Sequence, residues 1–213
     1  MLRAQFVLFD GFDPLDVVAP FEVLTAGSGF LGGKLAVELV SADGPGVVGS
    51  GNPGLTLTAT AALDPDAPGY VLVPGAAGPV DGDPDAGVET IPVLLSHFAS
   101  SDAMPLLRRA FDNPDCTIAT VCGGSLALAM AGLLEGRTAT THALGIDLLD
   151  ATGVHIVRAR VVDDGDLISG GGVTSGLDVA LYVLERDFGS HTAHAVEELF
   201  EYERRGTTWK ASH

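Results

Sequence analysis

TIATVCGGSLALAMAG, residues 117–132, places two different kinds of sequence on either side of one thiol. Thr117-Ile118-Ala119-Thr120-Val121 is a β-branched apolar run of strand composition, whereas Leu126-Ala127-Leu128-Ala129-Met130-Ala131 is rich in good helix formers and closes at Gly132. Gly123 and Gly124 give the backbone between them the freedom that a sharp reversal needs, so Cys122 falls at a strand-to-helix turn. The pattern is that of a nucleophile elbow with Cys in the place of Ser; a small inert Cys at a tight turn is the alternative. With turn amides and a helix N-terminus beside it, the thiolate is expected to be stabilised and the thiol pKa to fall below the ~8.5 of free cysteine.

Outward from the turn, strands and helices alternate. Gln5 to Phe9 and Tyr70 to Val73 are continuous apolar runs of strand length, Leu35 to Val40 is another strand, and Leu15 to Ala26 is helical after the turn Asp10-Gly11-Phe12-Asp13-Pro14. A Gly- and Pro-rich loop follows Val40, and Leu55 to Thr58 alternates like a short exposed strand. Val80 to Asp85 is expected to be loop, and Gly87 to Phe111 one or two helices broken around Pro92 and Pro105. Beyond Gly132 come the segment Thr138-Ala139-Thr140, a short helix near Ile146 to Ala151, a strand pair Ile156 to Val162 and Asp166 to Ser169 turned at Asp164-Gly165, and helices from about Thr174 to Phe188 and Thr192 to Arg204. Buried strands separated by helices predict an α/β fold with a mostly parallel sheet covered on both faces. No repeat or low-complexity linker interrupts the chain, so residues 1–213 are expected to form one domain.

The 213 residues are 46% hydrophobic, enough for a full core, and carry a formal charge of −17 with only two lysines, Lys34 and Lys210. That balance argues against nucleic acid and anionic membrane as partners, since both are held by clustered Lys and Arg. The acidic excess reads as solubility, with adaptation to a salty cytoplasm as the other source. No stretch approaches the roughly eighteen apolar residues of a spanning helix, and the N-terminus turns acidic where a signal peptide would be cleaved, so a cytoplasmic protein is expected. Cys116 and Cys122, six positions apart in an extended segment, should be about 20 Å apart at ~3.3 Å per residue. A disulfide needs about 7 Å or less, so they cannot bridge within the chain. Cys116 is expected to be a small buried residue. The histidines show no metal-site spacing, His191 and His194 lacking a third ligand nearby, and neither a metal nor a cofactor is expected.

Four collinear blocks, FDGFDPLDVVAPFEVL at 9–24, PGAAG at 74–78, TVCGGSLALAMAGLLEGRTATTH at 120–142 and GDLISGGGVTSGLDVAL at 165–181, together resemble the ThiJ/PfpI superfamily. Within it the chain is most similar to isocyanide hydratases and to the amidotransferase-like domains of AraC-type regulators. The resemblance implies a flavodoxin-like sandwich with Cys122 as nucleophile and Asp16 as the carboxyl that approaches its sulfur. An acid beside a thiolate resists ionising and can shuttle a proton; the alternative for Asp16 is helix capping, for which Asp13 is better placed. Gly75 is implied to offer its N–H to substrate together with that of Gly123, or else to be a plain Pro-Gly turn. His142 is implied to stand near the nucleophile, where it either lowers the thiol pKa or serves as a wall. The chain departs from the hydratases in having Gly123 where they have Thr, and in continuing Glu201-Tyr202 as Glu203-Arg204-Arg205 where they are rich in proline and phenylalanine.

The function expected is hydration of a small isocyanide to an N-substituted formamide by a homodimeric enzyme. A small-molecule sensing domain of the regulator type is the alternative. Glyoxal, aldehyde or peptidase chemistry of other branches ranks lower, because those branches carry Glu where Asp16 stands or His where Gly123 stands.

Overall fold

Strand β1 (Leu2–Val7) lies inside a sheet whose neighbours are β2 (Leu35–Ser41) on one side and β6 (Gly69–Val73) on the other, both parallel to it. The structure is a computed structural model and describes residues 1–82 and 87–211. The remaining strands of the sheet are β5 (Ala61–Ala62), β7 (Cys116–Thr120), β10 (Val161–Asp163), β11 (Leu167–Gly170) and β12 (Trp209–Lys210). Among the described residues the order across eight strands is β12-β10-β11-β7-β6-β1-β2-β5, and only the hairpin β10-β11 pairs antiparallel.

Alternate residues of each strand face opposite helix layers, the period of two that a pleated strand imposes. Tyr70 and Leu72 join Phe6 in a core closed by α1 (Pro14–Phe30), α6 (Ser175–Phe188) and α7 (Ser190–Phe200). Val71 and Val73 join Ile118 in a second core closed by α2 (Ile91–Ala99), α3 (Ala103–Asp112) and α4 (Gly124–Met130). The flavodoxin-like arrangement expected from the sequence is present, with full burial on both faces explaining the uninterrupted apolar runs.

Four local expectations are corrected. Pro92 and Pro105 lie in the first turns of α2 and α3, where a missing N–H does no harm, and the break between these helices falls at residues 100–102. The glycine-rich loop after β2 contains β3 (Gly46–Gly49), which pairs with β4 (Thr56–Ala59). The stretch 156–162 is not one strand: β9 (His155–Ile156) pairs with β8 (Thr138–Ala139), and the chain crosses to β10 through Val157–Arg160. The last helix stops at Phe200, where Glu201 adopts a left-handed φ of +48°, and β12 then adds to the sheet edge. Of the loop expected at 80–85, residues 83–85 lie outside the described residues.

β1 feeds β2 on one side, and the chain later returns to place β6 on the other. The sheet order therefore reverses between β1 and β6, and the crevice at their carboxyl ends is where open α/β sheets bind ligands.

Candidate active site

Three loops meet at that crevice. The loop after β1 carries Asp13 and leads into α1, whose first turn carries Asp16, the loop after β6 carries Gly75, and the turn after β7 carries Cys122. Asp13 is the N-cap of α1, its carboxylate accepting the Leu15 N–H at 2.9 Å, so Asp16 sits inside the first turn and is free of the capping task.

The β7-α4 turn is an elbow. Cys122 has φ +55°, a left-handed conformation that a side chain adopts at a cost of roughly 1–2 kcal/mol, and the surroundings hold it there. Thr141 Oγ1 donates to the Cys122 carbonyl at 2.6 Å, and Thr120 and Ser125, on either side of the turn, bond through their hydroxyls at 2.5 Å. A Cβ on Gly124 would lie 2.3 Å from the Val73 carbonyl oxygen, so glycine is what lets the elbow rest on the end of β6. A Cβ on Gly75 would lie 2.6 Å from the Gly123 nitrogen and 3.0 Å from Asp16 Oδ2. The three loops are thus in contact through groups with no side-chain atoms to spare.

Asp16 is 2% exposed; its Oδ2 accepts the Gly75 N–H at 2.9 Å, and its Oδ1 has no hydrogen-bond partner among the described residues. Burial lifts the Asp16 carboxyl well above the usual carboxylate range, and the charge of Asp13 adds to this, against the opposing pull of the Gly75 N–H and the Cys122 thiol. Burial likewise pushes the Cys122 thiol up, reinforced by Asp16 and opposed by the Gly123 N–H. The expected stabilised thiolate is therefore corrected: Cys122 is 7% exposed and its ionisable neighbours are carboxyls, so the pair Cys122–Asp16 holds on to its protons. Cys116 lies in the strand, 3% exposed, and burial pushes its thiol up to about 11. Both cysteines are free thiols.

Cys122, Gly123 and His142 line one cavity of about 390 Å³, whose other walls are chiefly apolar, including Ile91, Leu95 and Leu126. The Gly75 N–H, expected to face a substrate, is here engaged by Asp16. His142 Nδ1 accepts the Leu144 N–H at 3.2 Å, and His142 is not among the groups that shift the Cys122 thiol. Asp13, Thr141 and Leu95 also line the cavity, and the motifs do not mark them for it. Only the cap position of Asp13 was legible; the other two arrive through tertiary packing. No cluster of three or more metal-ligating side chains occurs among the described residues. No helix among them is long and apolar enough to cross a membrane.

Comparison with known proteins bears on the same segments. Residues 96–186, which include the elbow, match the DJ-1/PfpI family. An isonitrile hydratase of Pseudomonas putida is 35% identical over 205 residues, 94% of this chain and 78% of that one. The HTH-type transcriptional regulator CdhR of Pseudomonas aeruginosa is 28% identical over 197 residues, 92% of this chain but only 53% of the regulator. A crystal structure of a ThiJ/PfpI family protein from Pseudomonas syringae superposes with a TM-score of 0.77 at 26% identity, covering 96% of this chain and 76% of that one. The elbow, the sheet order and a likeness that runs nearly end to end lead to one assignment: the chain belongs to the DJ-1/PfpI family.

Proposed function

We propose that the protein hydrates an isocyanide to an N-substituted formamide, with Cys122 as nucleophile and Asp16 as acid and base. The observation that carries this reading is the buried Asp16 carboxyl with one oxygen anchored by Gly75 and the other unpartnered, set beside a cavity-lining thiol. The similarity to an isonitrile hydratase supports it.

As the Cys122 sulfur closes on the isocyanide carbon, the protonated Asp16 delivers its proton to that carbon and takes the thiol proton in its place, forming a C–S and a C–H bond and leaving a thioimidate. Water then adds to the same carbon, its hydroxyl forming the C–O bond while its other proton passes through Asp16 to nitrogen. Collapse of this adduct breaks the C–S bond, the hydroxyl proton returns through Asp16 to sulfur, and the formamide departs. The net change is one isocyanide plus one water to one formamide. Gly75 holds Asp16, Gly123 offers its N–H at the sulfur and the adduct formed there, and His142 forms a wall of the cavity. Protonated resting groups suit this chemistry, because the substrate needs a proton delivered to carbon in the step that makes the C–S bond.

Incubation of the purified protein with an alkyl isocyanide should release the formamide, and Cys122→Ala should abolish it. Turnover by the unaltered protein no better than that of Cys122→Ala would overturn the reading. The likeness to a transcriptional regulator favours a second one, ligand sensing, which predicts saturable binding of small molecules in thermal-shift titrations with no product formed.

A further inference from the structure

Two consecutive leucines of α2 reach the two loops that hold the reacting pair. A Cβ on Gly11, in the loop between β1 and α1, would lie 2.6 Å from Leu94 Cδ2, and a Cβ on Gly123 would lie 2.9 Å from Leu95 Cδ1 and 3.3 Å from its Cδ2. The two glycines are there for different reasons. Gly11 has φ +92°, which disfavours any side chain, whereas Gly123 has φ −71° and ψ −4°, an ordinary right-handed conformation open to any residue. What a side chain at 123 would meet is therefore not a backbone restriction but the end of the Leu95 side chain, which would have to shift to admit it, with the Gly75 Cα in ordinary contact 3.6 Å from the same point.

Leu95 is 2% exposed and lines the cavity with Cys122 and Gly123. Beyond it the walls continue through Ile91, Leu126 and Leu148; the polar walls besides the thiol are Asp13, Thr141 and His142, and no Lys or Arg is among the lining residues. An anionic substrate would meet the Asp13 carboxylate and no counter-charge, and a polar one would lose its hydration to an apolar wall.

We propose that Leu95 is the specificity-determining residue of this site: seated against Gly123, it leaves room at the Cys122 sulfur only for a slender, uncharged reacting group whose apolar remainder lies along Ile91, Leu126 and Leu148. This deepens the hydratase reading and rests on Cys122 as the reacting group. A linear terminal carbon passes the two Leu95 methyl groups, whereas a carbon bearing a branch meets them before it reaches sulfur.

The test uses two uncharged alkylating probes, iodoacetamide and 2-iodopropanamide, which differ by one methyl on the reacting carbon. Labelling of the Cys122 peptide is followed by mass spectrometry at about pH 9, above the ~8.5 of a free thiol, so that the thiolate fraction of this raised thiol is larger than at neutral pH. Intrinsic reactivity cancels when the ratio of the two rates is compared between variants. Leu95→Ala is expected to raise the ratio of branched to unbranched probe at least about tenfold, the scale on which an apolar pocket discriminates one methyl-sized group. Leu95→Val, which keeps more of the core volume, should shift it in the same direction and serves if the alanine variant does not fold. Gly123→Ala should slow labelling in the otherwise unaltered protein and do so far less beside Leu95→Ala, the coupling expected of groups in contact. An unchanged ratio, or a Gly123→Ala effect of equal size in both backgrounds, would overturn the proposal. Alkylation does not require hydration. Absence of formamide would therefore count against the hydratase reading alone, and an unchanged ratio in an active hydratase against Leu95 alone.

Discussion

The Gly75 N–H donates to Asp16 Oδ2 at 2.9 Å while Asp16 Oδ1 stays buried without a partner among the described residues, so a single carboxyl is half anchored and half available. The anchored half fixes direction and the available half can carry a proton.

Asp16→Asn separates these two tasks. The amide oxygen can still accept from Gly75, so the fold should persist, while loss of the transferable proton should lower hydratase turnover by about 10²–10⁴-fold. Stability should move the other way. The carboxyl pKa is raised on folding, so the folded state binds more protons than the unfolded state above the ordinary range near 4, and stability falls as pH rises from there toward the folded pKa. Thermal denaturation should find Asp16→Asn more stable than the unaltered protein at neutral pH, with the gap closing below about pH 4.

Gly75→Ala tests the anchor. The new Cβ would stand 2.6 Å from the Gly123 nitrogen and 3.0 Å from Asp16 Oδ2, so either the elbow or the carboxyl must move. A fall in kcat of about 10²-fold is expected from a displacement near 1 Å, with a stability loss of about 1–3 kcal/mol by denaturant titration. Unchanged kcat would mean that the contact is not used.

The thiols should differ in access and agree in reluctance. Both are pushed up by burial, so at pH 7 each should react with iodoacetamide more slowly than a free cysteine, and the rate should climb as pH passes the usual thiol range. Cys122 lines the cavity and Cys116 does not, so peptide mass spectrometry should find Cys122 labelled first. Asp16→Asn removes one of the carboxyls that raise the Cys122 thiol and should shift its labelling curve to lower pH; a curve that does not move would show the two groups to be uncoupled.

The elbow was legible because its signals are local: a β-branched run, two glycines and a helix-forming run within sixteen residues, 117–132. Asp13 was legible as a cap for the same reason. The prolines of α2 and α3 misled because a Pro reads as a breaker unless it is known to stand in a first turn. The proton affinity of Cys122 could not be read at all, since turn amides favour a thiolate but burial and the facing Asp16, 106 positions away in sequence, outweigh them. The Leu94–Gly11 and Leu95–Gly123 contacts were hidden likewise: the glycine after the nucleophile looks like turn chemistry alone, and nothing local shows that a leucine on another helix packs against it.

A homodimer is the assembly we propose. Leu15 and Val18, 46% and 37% exposed, stand three positions apart on α1 and leave an apolar strip on the face turned from the core. Light scattering should give a mass near twice the 21.8 kDa of one chain, and a monomer mass would refute the assembly.

The reversal of strand order between β1 and β6 also bears on how the protein reaches its working state. Asp16, Gly75 and Cys122 come from segments far apart in the chain, and they meet only when β7 has paired with β6 and β6 with β1. Such long-range parallel pairing is slow, because loop closure must precede the contacts that reward it. Helix signal should therefore return early after dilution from denaturant, while catalytic turnover lags until the sheet has closed. Recovered activity is in this sense a clock for the late strand pairings rather than for collapse.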